Sequence, residues 1–316
     1  MRRVFAPLIA VLVLAGPAVA SDKIADQYPQ SVLYSKPVEV IPHVWSAIGA
    51  TAPPGYDNAG HNNNLSFVVT GAGVVVINGG GCYQLAEALH AEIEQITKEP
   101  VKLVINENGQ GHAMLGNAYW AARGVPILAQ VDAAEAFEDQ GPQSLTAMKG
   151  YNKERAAGTV LTGPSETFED ERVIEMGRFR IEVKNLGPAH SPGDVVVWLP
   201  KQSLVISGDM AFHERLLPIF DDTDTAAWLE SWENFEALGA TYVIPGHGHP
   251  TNMDQVRRYT KDYLVYLRGK IRAHLDSGGT LEKAYYVDQS PYAHLDTFDQ
   301  LATRNAGRVF EQMEFE

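Results

Sequence analysis

Apolar residues along the chain come in short bursts in which Val and Ile are prominent. The bursts are VEVIPHVWSAI (38–48), NLSFVVT (64–70), GVVVING (73–79), VKLVIN (101–106), VPILAQ (125–130), FRIEVKNL (179–186), DVVVWLP (194–200), SLVISGD (203–209) and TYVIPG (241–246). Short runs rich in β-branched residues and bounded by Gly, Pro or Asn predict strands. Between them, YQLAEALHAEIEQIT (83–97), VDAAEAFEDQ (131–140), TAAWLESWENFEALG (225–239) and TNMDQVRRYTKDYLVYLRGKIRAHLDSG (251–278) predict helices. In the last stretch Val256, Tyr259, Tyr263, Tyr266 and Leu267 recur at helical steps, which puts them on one face. Strand and helix patterns interleave throughout, with no linker, repeat or low-complexity tract, so a single α/β domain over residues 37–316 is predicted.

The first residues change that picture at one end. Arg2 and Arg3, an apolar stretch and Ala18-Val19-Ala20 before Ser21 predict a cleaved signal peptide over 1–20. The apolar run of roughly 15 residues is shorter than the ~20 that a spanning helix needs. Residues 21–36 are polar and aperiodic, and are expected to form a flexible leader. The mature protein is therefore expected in the periplasm or outside the cell, without membrane insertion after cleavage. The formal charge of -14 over 316 residues argues against a nucleic-acid partner, since phosphate binding draws on clustered Lys and Arg. A small-molecule substrate is the expected partner, and the oligomeric state is not legible. Cys82 is the one cysteine, so no internal disulfide can form. Its thiol is expected to be buried and inert, with a pocket-facing thiol as the alternative.

Polar residues gather where the predicted strands end. Glu107, Asn108, Gln110 and His112 follow the run 101–106; His190 follows FRIEVKNL; Asp209 and His213 close SLVISGD and its extension; His247 and His249 follow TYVIP. Rigid strands hold short loop side chains in fixed relation, which is why sites collect there. Imidazole and carboxylate groups are ligands for Zn²⁺ and similar ions, and His190, Asp209 and His247 would supply a set of three. Each alone has a plainer explanation as a solvated loop residue or a turn former. Their shared placement, beyond an apolar strand and beside glycine, favours ligation. His61, in AGHNNN, is expected to lie at the substrate pocket or in solvent. Trp228 and Trp232 are expected in the core.

With these blocks in order, GVVVINGG, VKLVINENGQGHAMLGN, LGPAHSPGDVVVWLP, SLVISGDMAF and TYVIPGHGHPT, the chain resembles the metallo-β-lactamase superfamily over about 40–316. The segments around Asp209, the Trp-bearing helix and Pro-Gly-His-Gly look most like periplasmic branches linked to sulfur oxidation and quinoprotein systems. The resemblance implies a four-layer αβ/βα sandwich and a metal-activated water. It also implies departures from the family's His-x-His-x-Asp-His motif. Asn108 and Gln110 stand at its first two histidines, His112 at its aspartate and Ala113 at its last histidine, while Glu107 and Asn78 replace a threonine and an early aspartate.

Metal ligation is accordingly expected at His190, Asp209, His247 and His112, catalysis at Asp209 and His112, and substrate contact at Asn108, Gln110 and His61. The expected cofactor is one divalent ion, zinc first, with iron or manganese as alternatives. Three activities stay open. They are hydrolysis of an ester, lactone, amide or thioester at a mononuclear site, oxidation of a sulfur compound at iron, and ligand or metal binding without turnover. Retention of polar residues at 107, 108, 110 and 112 favours a reorganised site over a dead one, and hydrolysis stands first among the three.

Overall fold

The computed structural model describes Tyr28 and residues 31–316. The expected signal segment and residues 21–27, 29 and 30 of the expected leader lie outside the described residues. The remainder of that leader corrects the expectation of flexibility. Leu33 is 2% exposed within a hydrophobic core, Ser35 Oγ donates to Ile48 O at 2.6 Å and Tyr34 N donates to His61 Nδ1 at 2.9 Å.

Two sheets form from the predicted strands. The first runs β1 (Val38–Ile41), β2 (Val44–Ala47), β3 (Leu65–Val69), β4 (Val74–Ile77), β5 (Val101–Ile105), β6 (Ile127–Gln130) and β7 (Glu166–Phe168), in that spatial order. It is antiparallel from β1 to β4 and parallel from β4 to β7. The second contains β8 (Glu171–Met176), β9 (Phe179–Lys184), β10 (Val196–Leu199), β11 (Leu204–Phe212) and β12 (Tyr242–His247), ordered β12-β11-β10-β9-β8. Its β11/β12 pair is parallel and the others antiparallel. The helices are α1 (Tyr83–Ile96), α2 (Gly111–Met114), α3 (Asn117–Ala121), α4 (Val131–Asn152), α5 (Thr225–Ala237), α6 (Met253–Tyr259), α7 (Lys261–Asp276), α8 (Leu281–Ala284) and α9 (Phe298–Met313).

Strand alternation assigns each side chain to a layer. In β4, Val75 and Ile77 share a core between the sheets with Val197, Leu204 and Ile206, whereas Val74 and Val76 pack with Leu85, Leu89 and Ile93 of α1. In β11, Val205 turns the other way, towards Trp228 and Trp232 of α5 and Tyr263 of α7. Helices cover both outer faces, giving the expected four-layer αβ/βα sandwich. Each fully buried aliphatic side chain contributes about 1.5–3 kcal/mol to that arrangement. No helix among the described residues is long and apolar enough to cross a membrane.

The structure departs from the predicted elements in several places. Residues 38–48 are a hairpin, turned at Pro42 and at His43, whose φ is 72°. The predicted helix over 251–278 breaks at Thr260, whose Oγ1 accepts from Phe212 N at 2.9 Å and so satisfies the amide that ends β11. α4 extends through Pro142 to Asn152. β7, β8 and α9 were not anticipated. β8 is obscured by its charges, and α9 buries Ala302, Asn305, Ala306 and Gly307 beside Leu301 and Phe310, which dilutes an apolar pattern.

Candidate metal centre

The parallel strands of the first sheet and the β11/β12 pair of the second bring their carboxyl ends to one cavity of about 850 Å³. Asn78, φ 73°, follows β4 and accepts from Glu107 N through its Oδ1 at 3.0 Å, which aims the residue that follows Asn106 at the end of β5. Asn106 and Asn117 pair their side-chain amides, with Asn117 Nδ2 donating to Asn106 Oδ1 at 2.9 Å, and Asn106 Nδ2 also reaches Ala113 O at 2.8 Å. These bonds fix the 106–117 loop and bring His112 of α2 back over Glu107. Asp209 lies within β11, His190 in the connection from β9 to β10, and His247 ends β12.

Four groups surround the Asp209 carboxylate. His247 Nε2 is 3.2 Å from Oδ1; His112 Nε2 is 3.6 Å and His190 Nε2 3.8 Å from Oδ2; Asn108 Nδ2 donates to Oδ2 at 3.4 Å. His112 Nε2 also lies 3.1 Å from Glu107 Oε1. Donor atoms of Glu107, His112 and Asp209 fall within 4.8 Å of one another. Two glycines make room for this. A Cβ on Gly208, φ 52°, would overlap Glu107 Oε2, and one on Gly246 would overlap Asp209 Oδ1.

Burial and charge set the protonation states. Burial pushes the Asp209 carboxyl up, but the His247, His112 and His190 imidazoles outweigh it and hold the group well below the usual carboxylate range. Burial raises Glu107, with the Asp209 charge adding to the shift and His112 opposing it. For His112 burial lowers the pKa, yet Asp209 and Glu107 win and raise it. Burial brings His190 down to about 4 and lowers His247, leaving both neutral, the form that ligates metals.

These residues fit a cation. His247 Nδ1 contacts Asn62 O closely, which assigns the proton to Nδ1 and leaves a lone pair on Nε2. That lone pair faces Asp209 Oδ1, a buried oxygen without a hydrogen-bond partner, and His190 Nδ1 is likewise buried without one. Facing lone pairs repel unless a proton or a metal ion lies between them.

A family model described as the Metallo-beta-lactamase superfamily matches residues 111–247, a span holding His112, His190, Asp209 and His247. Over these residues the chain is similar to the metallo-β-lactamase superfamily. A curated relative, the Metallo-beta-lactamase type 2 of Bacteroides fragilis, is 29% identical over 92 residues, covering 28% of this chain and 37% of that protein. The chain thus matches little more than a third of that relative's length. Among solved structures, a metallo-β-lactamase from Pontibacter korlensis superposes with a TM-score of 0.59 at 19% identity, over 72% of this chain and 98% of that one. The metallo-β-lactamase DIM-1 gives a TM-score of 0.58 at 16% identity, over 73% and 96% of the two chains. At these identities the likeness shows the fold.

The expected site residues separate into groups. His190, Asp209, His247 and His112 meet at the cavity, and Gln110 lines it. Asn108 is buried beneath Asp209 and accepts from Gln110 N at 3.0 Å, so it supports the carboxylate rather than facing a substrate. His61 is fully buried, with Nδ1 accepting from Tyr34 N and Nε2 3.3 Å from Ala47 O. The expectation of a substrate contact or a solvated loop for His61 is therefore corrected: both ring nitrogens are engaged in the core. Cys82 is buried and burial raises its thiol. His213 Nδ1 lies 3.0 Å from His249 O, and His249 Nδ1 2.9 Å from Glu214 Oε2, away from Asp209.

Three residues of the site escaped the sequence argument. Glu107 was noted without a role, although a charged residue immediately past a buried strand was the available signal. Asp194 is buried, accepting from Ser191 N at 2.6 Å and Ser191 Oγ at 2.9 Å, and burial with the Asp209 charge brings it up to about 8. Arg215, an arginine preceding Leu216-Leu217, lines the cavity beside His247. Burial brings its guanidinium down to about 10, against the opposing pull of Asp209 and Asp296, and it stays a cation at neutral pH.

Proposed function

We propose that this protein is a metal-dependent hydrolase whose ion is held by Glu107, His112 and Asp209, with His190 and His247 completing the donor set. The observation that carries this reading is the meeting of the buried Glu107 carboxylate and three imidazoles around the Asp209 carboxylate at a large cavity. A divalent ion there would supply Lewis acidity and bring the pKa of water towards ~7, chemistry suited to esters, lactones, amides and thioesters. The chain's own residues do the rest. Asn108 holds the Asp209 carboxylate, Asn62 O orients His247, Asn78 orients Glu107, and the Gln110 side chain offers an amide to a substrate in the cavity.

Zinc is the expected ion. Because three imidazoles with two carboxylates also suit iron, a non-hydrolytic reaction at iron is the second reading, and it fits the likeness to sulfur-oxidation branches. Export to the periplasm or beyond is part of the proposal and rests on residues 1–20 of the sequence.

The test is elemental analysis of full-length protein purified without chelators, alongside a panel of lactones, thioesters and β-lactams. Near-stoichiometric metal is expected, reduced at least about tenfold in the Asp209→Ala/His247→Ala double variant, since buried ligands cannot be replaced by water alone. Zinc with turnover of one of these classes supports the first reading, and iron without hydrolysis the second. Absence of zinc, iron and manganese after reconstitution overturns both.

A further inference from the structure

One face of α4 (Val131–Asn152) lines the metal cavity. Ala136, Gln140, Gln143, Ser144, Ala147 and Tyr151 are the residues of α4 that line it, at the three- and four-residue steps that keep side chains on one side of a helix. At ~1.5 Å per residue, the stripe from 136 to 151 is ~22 Å long. Close approaches fix its place against the loops. A Cβ on Gly109 would fall 3.1 Å from Ala136 Cβ, one on Gly111 3.4 Å from Ser144 Cβ, and one on Gly60 3.2 Å from the Tyr151 hydroxyl. His112 follows Gly111 and reaches Asp209, so the cluster stands beside the middle of the stripe and the groove continues to either side of it.

The stripe carries no charge, and Glu135, Glu138, Asp139 and Lys149 of the same helix do not line the cavity. Outside the metal cluster and α4, Arg215 and Arg304 are matched on the lining by Asp221 and Asp222. Such a wall gives a strongly charged chain no complementary field. The Gln110 and Gln143 amides and the Ser144 and Tyr151 hydroxyls each offer a donor and an acceptor, the pairing that peptide groups present. A purely apolar chain would strip water from these groups without replacing its hydrogen bonds. Sugar rings stack on open aromatic faces, but Phe220 is met by His190 at 5.1 Å and by Arg304 at 5.5 Å, and Tyr151 rests on Gly60. We propose that the groove along α4 binds an uncharged peptide in extended form and brings one of its internal amide bonds to the metal cluster. This inference rests on the hydrolase reading and deepens it by naming the substrate class. Hydrolysis adds water across that bond: the water oxygen joins the carbonyl carbon, the C–N bond breaks, and the leaving nitrogen takes a proton from the water, giving an acid and an amine. An extended chain advances ~3.3–3.6 Å per residue, so the stripe spans about six residues.

The experiment uses the zinc-loaded full chain and acetylated, amidated peptides of alternating Ala and Ser, two, four, six and eight residues long. Binding is measured by calorimetry, with metal content and peptide integrity followed in parallel. Affinity is expected to rise at least about tenfold from two residues to six, as added hydrogen bonds accumulate, and to level off beyond six. Gln143→Glu, at an exposed position, should weaken the six-residue peptide at least about fivefold with its metal retained. Thr146→Glu, equally exposed but off the cavity, should leave it unchanged. Where cleavage occurs, products should come from internal bonds. Affinity independent of length overturns the proposal, and so does equal weakening by the two variants or cleavage confined to a terminal bond. Length-dependent binding of chitohexaose but not of the peptides also overturns it. Length-dependent peptide binding without cleavage would count against the hydrolase reading and leave the groove assignment standing. Hydrolysis of a small lactone or thioester without length-dependent binding would do the reverse.

Discussion

The two sheets reach the cavity in different ways. The second sheet presents Asp209 from β11 and His247 from the end of β12, where the parallel β11/β12 ladder holds the backbone, and His190 from the connection before β10. The first sheet presents Glu107 and His112 from the 106–117 loop, whose shape depends on the Asn106–Asn117 amide pair and the bond from Glu107 N to Asn78. A strand-borne donor keeps its place through the paired backbone on either side of it, here Gly208 with Pro245 and Phe212 with His247. A loop-borne donor keeps it through side-chain bonds, so its role can pass to a neighbour. Glu107 illustrates this, since its carboxylate lies near His112 and Asp209 while Asn108 turns under Asp209 as a support.

Gly208 is where the two sides touch, and Gly208→Ala should produce the largest structural effect. The added methyl overlaps Glu107 Oε2 and the backbone is held at φ 52°, so a loss of about 1–3 kcal/mol is expected, visible as an early thermal transition. Reduced metal content should accompany it, because the Glu107 carboxylate must move. Unchanged stability and metal together would show that the loop side is softer than described.

A smaller effect is expected away from both sides. Burial brings His61 down to about 4, below its ordinary value near 6.5, so the folded protein holds it neutral. Its contribution to stability is therefore complete above about pH 6.5 and is lost as pH falls from there towards about 4, where the unfolded chain takes up the proton first. Denaturant titrations of His61→Asn should show a flatter pH dependence in that window, with metal content unaltered at neutral pH. Loss of metal in that variant would return His61 to the site.

The layers of the sandwich were legible because β-branched bursts alternate faithfully, and Asp209, His190 and His247 were legible because each follows such a burst beside glycine. His112 was singled out by the resemblance, and the structure brings it to Asp209. The 106–117 loop was not legible, since nothing in the order Glu107, Asn108, Gln110 says which side chain turns inward. That depends on Asn78 and Gly208, distant in sequence. Arg215 escaped for a related reason: an arginine before Leu216-Leu217 looks like a surface break, whereas its backbone bridges to Asp296, distant in sequence, and its side chain is buried. His61 misled because its neighbours Gly60, Asn62 and Asn63 have the composition of an exposed loop, whereas Tyr34 and Ala47 enclose it.

In the proposed hydrolase, Glu107 supplies a carboxylate to the ion beside His112 and Asp209. Competitive zinc titration of the unmodified chain and Glu107→Gln tests it most directly, since the amide keeps the shape and removes the charge. Zinc affinity at least about tenfold weaker is expected in Glu107→Gln, with the fold intact by circular dichroism. Equal affinity in the two proteins would contradict it and would leave ligation to His112, His190, Asp209 and His247 alone.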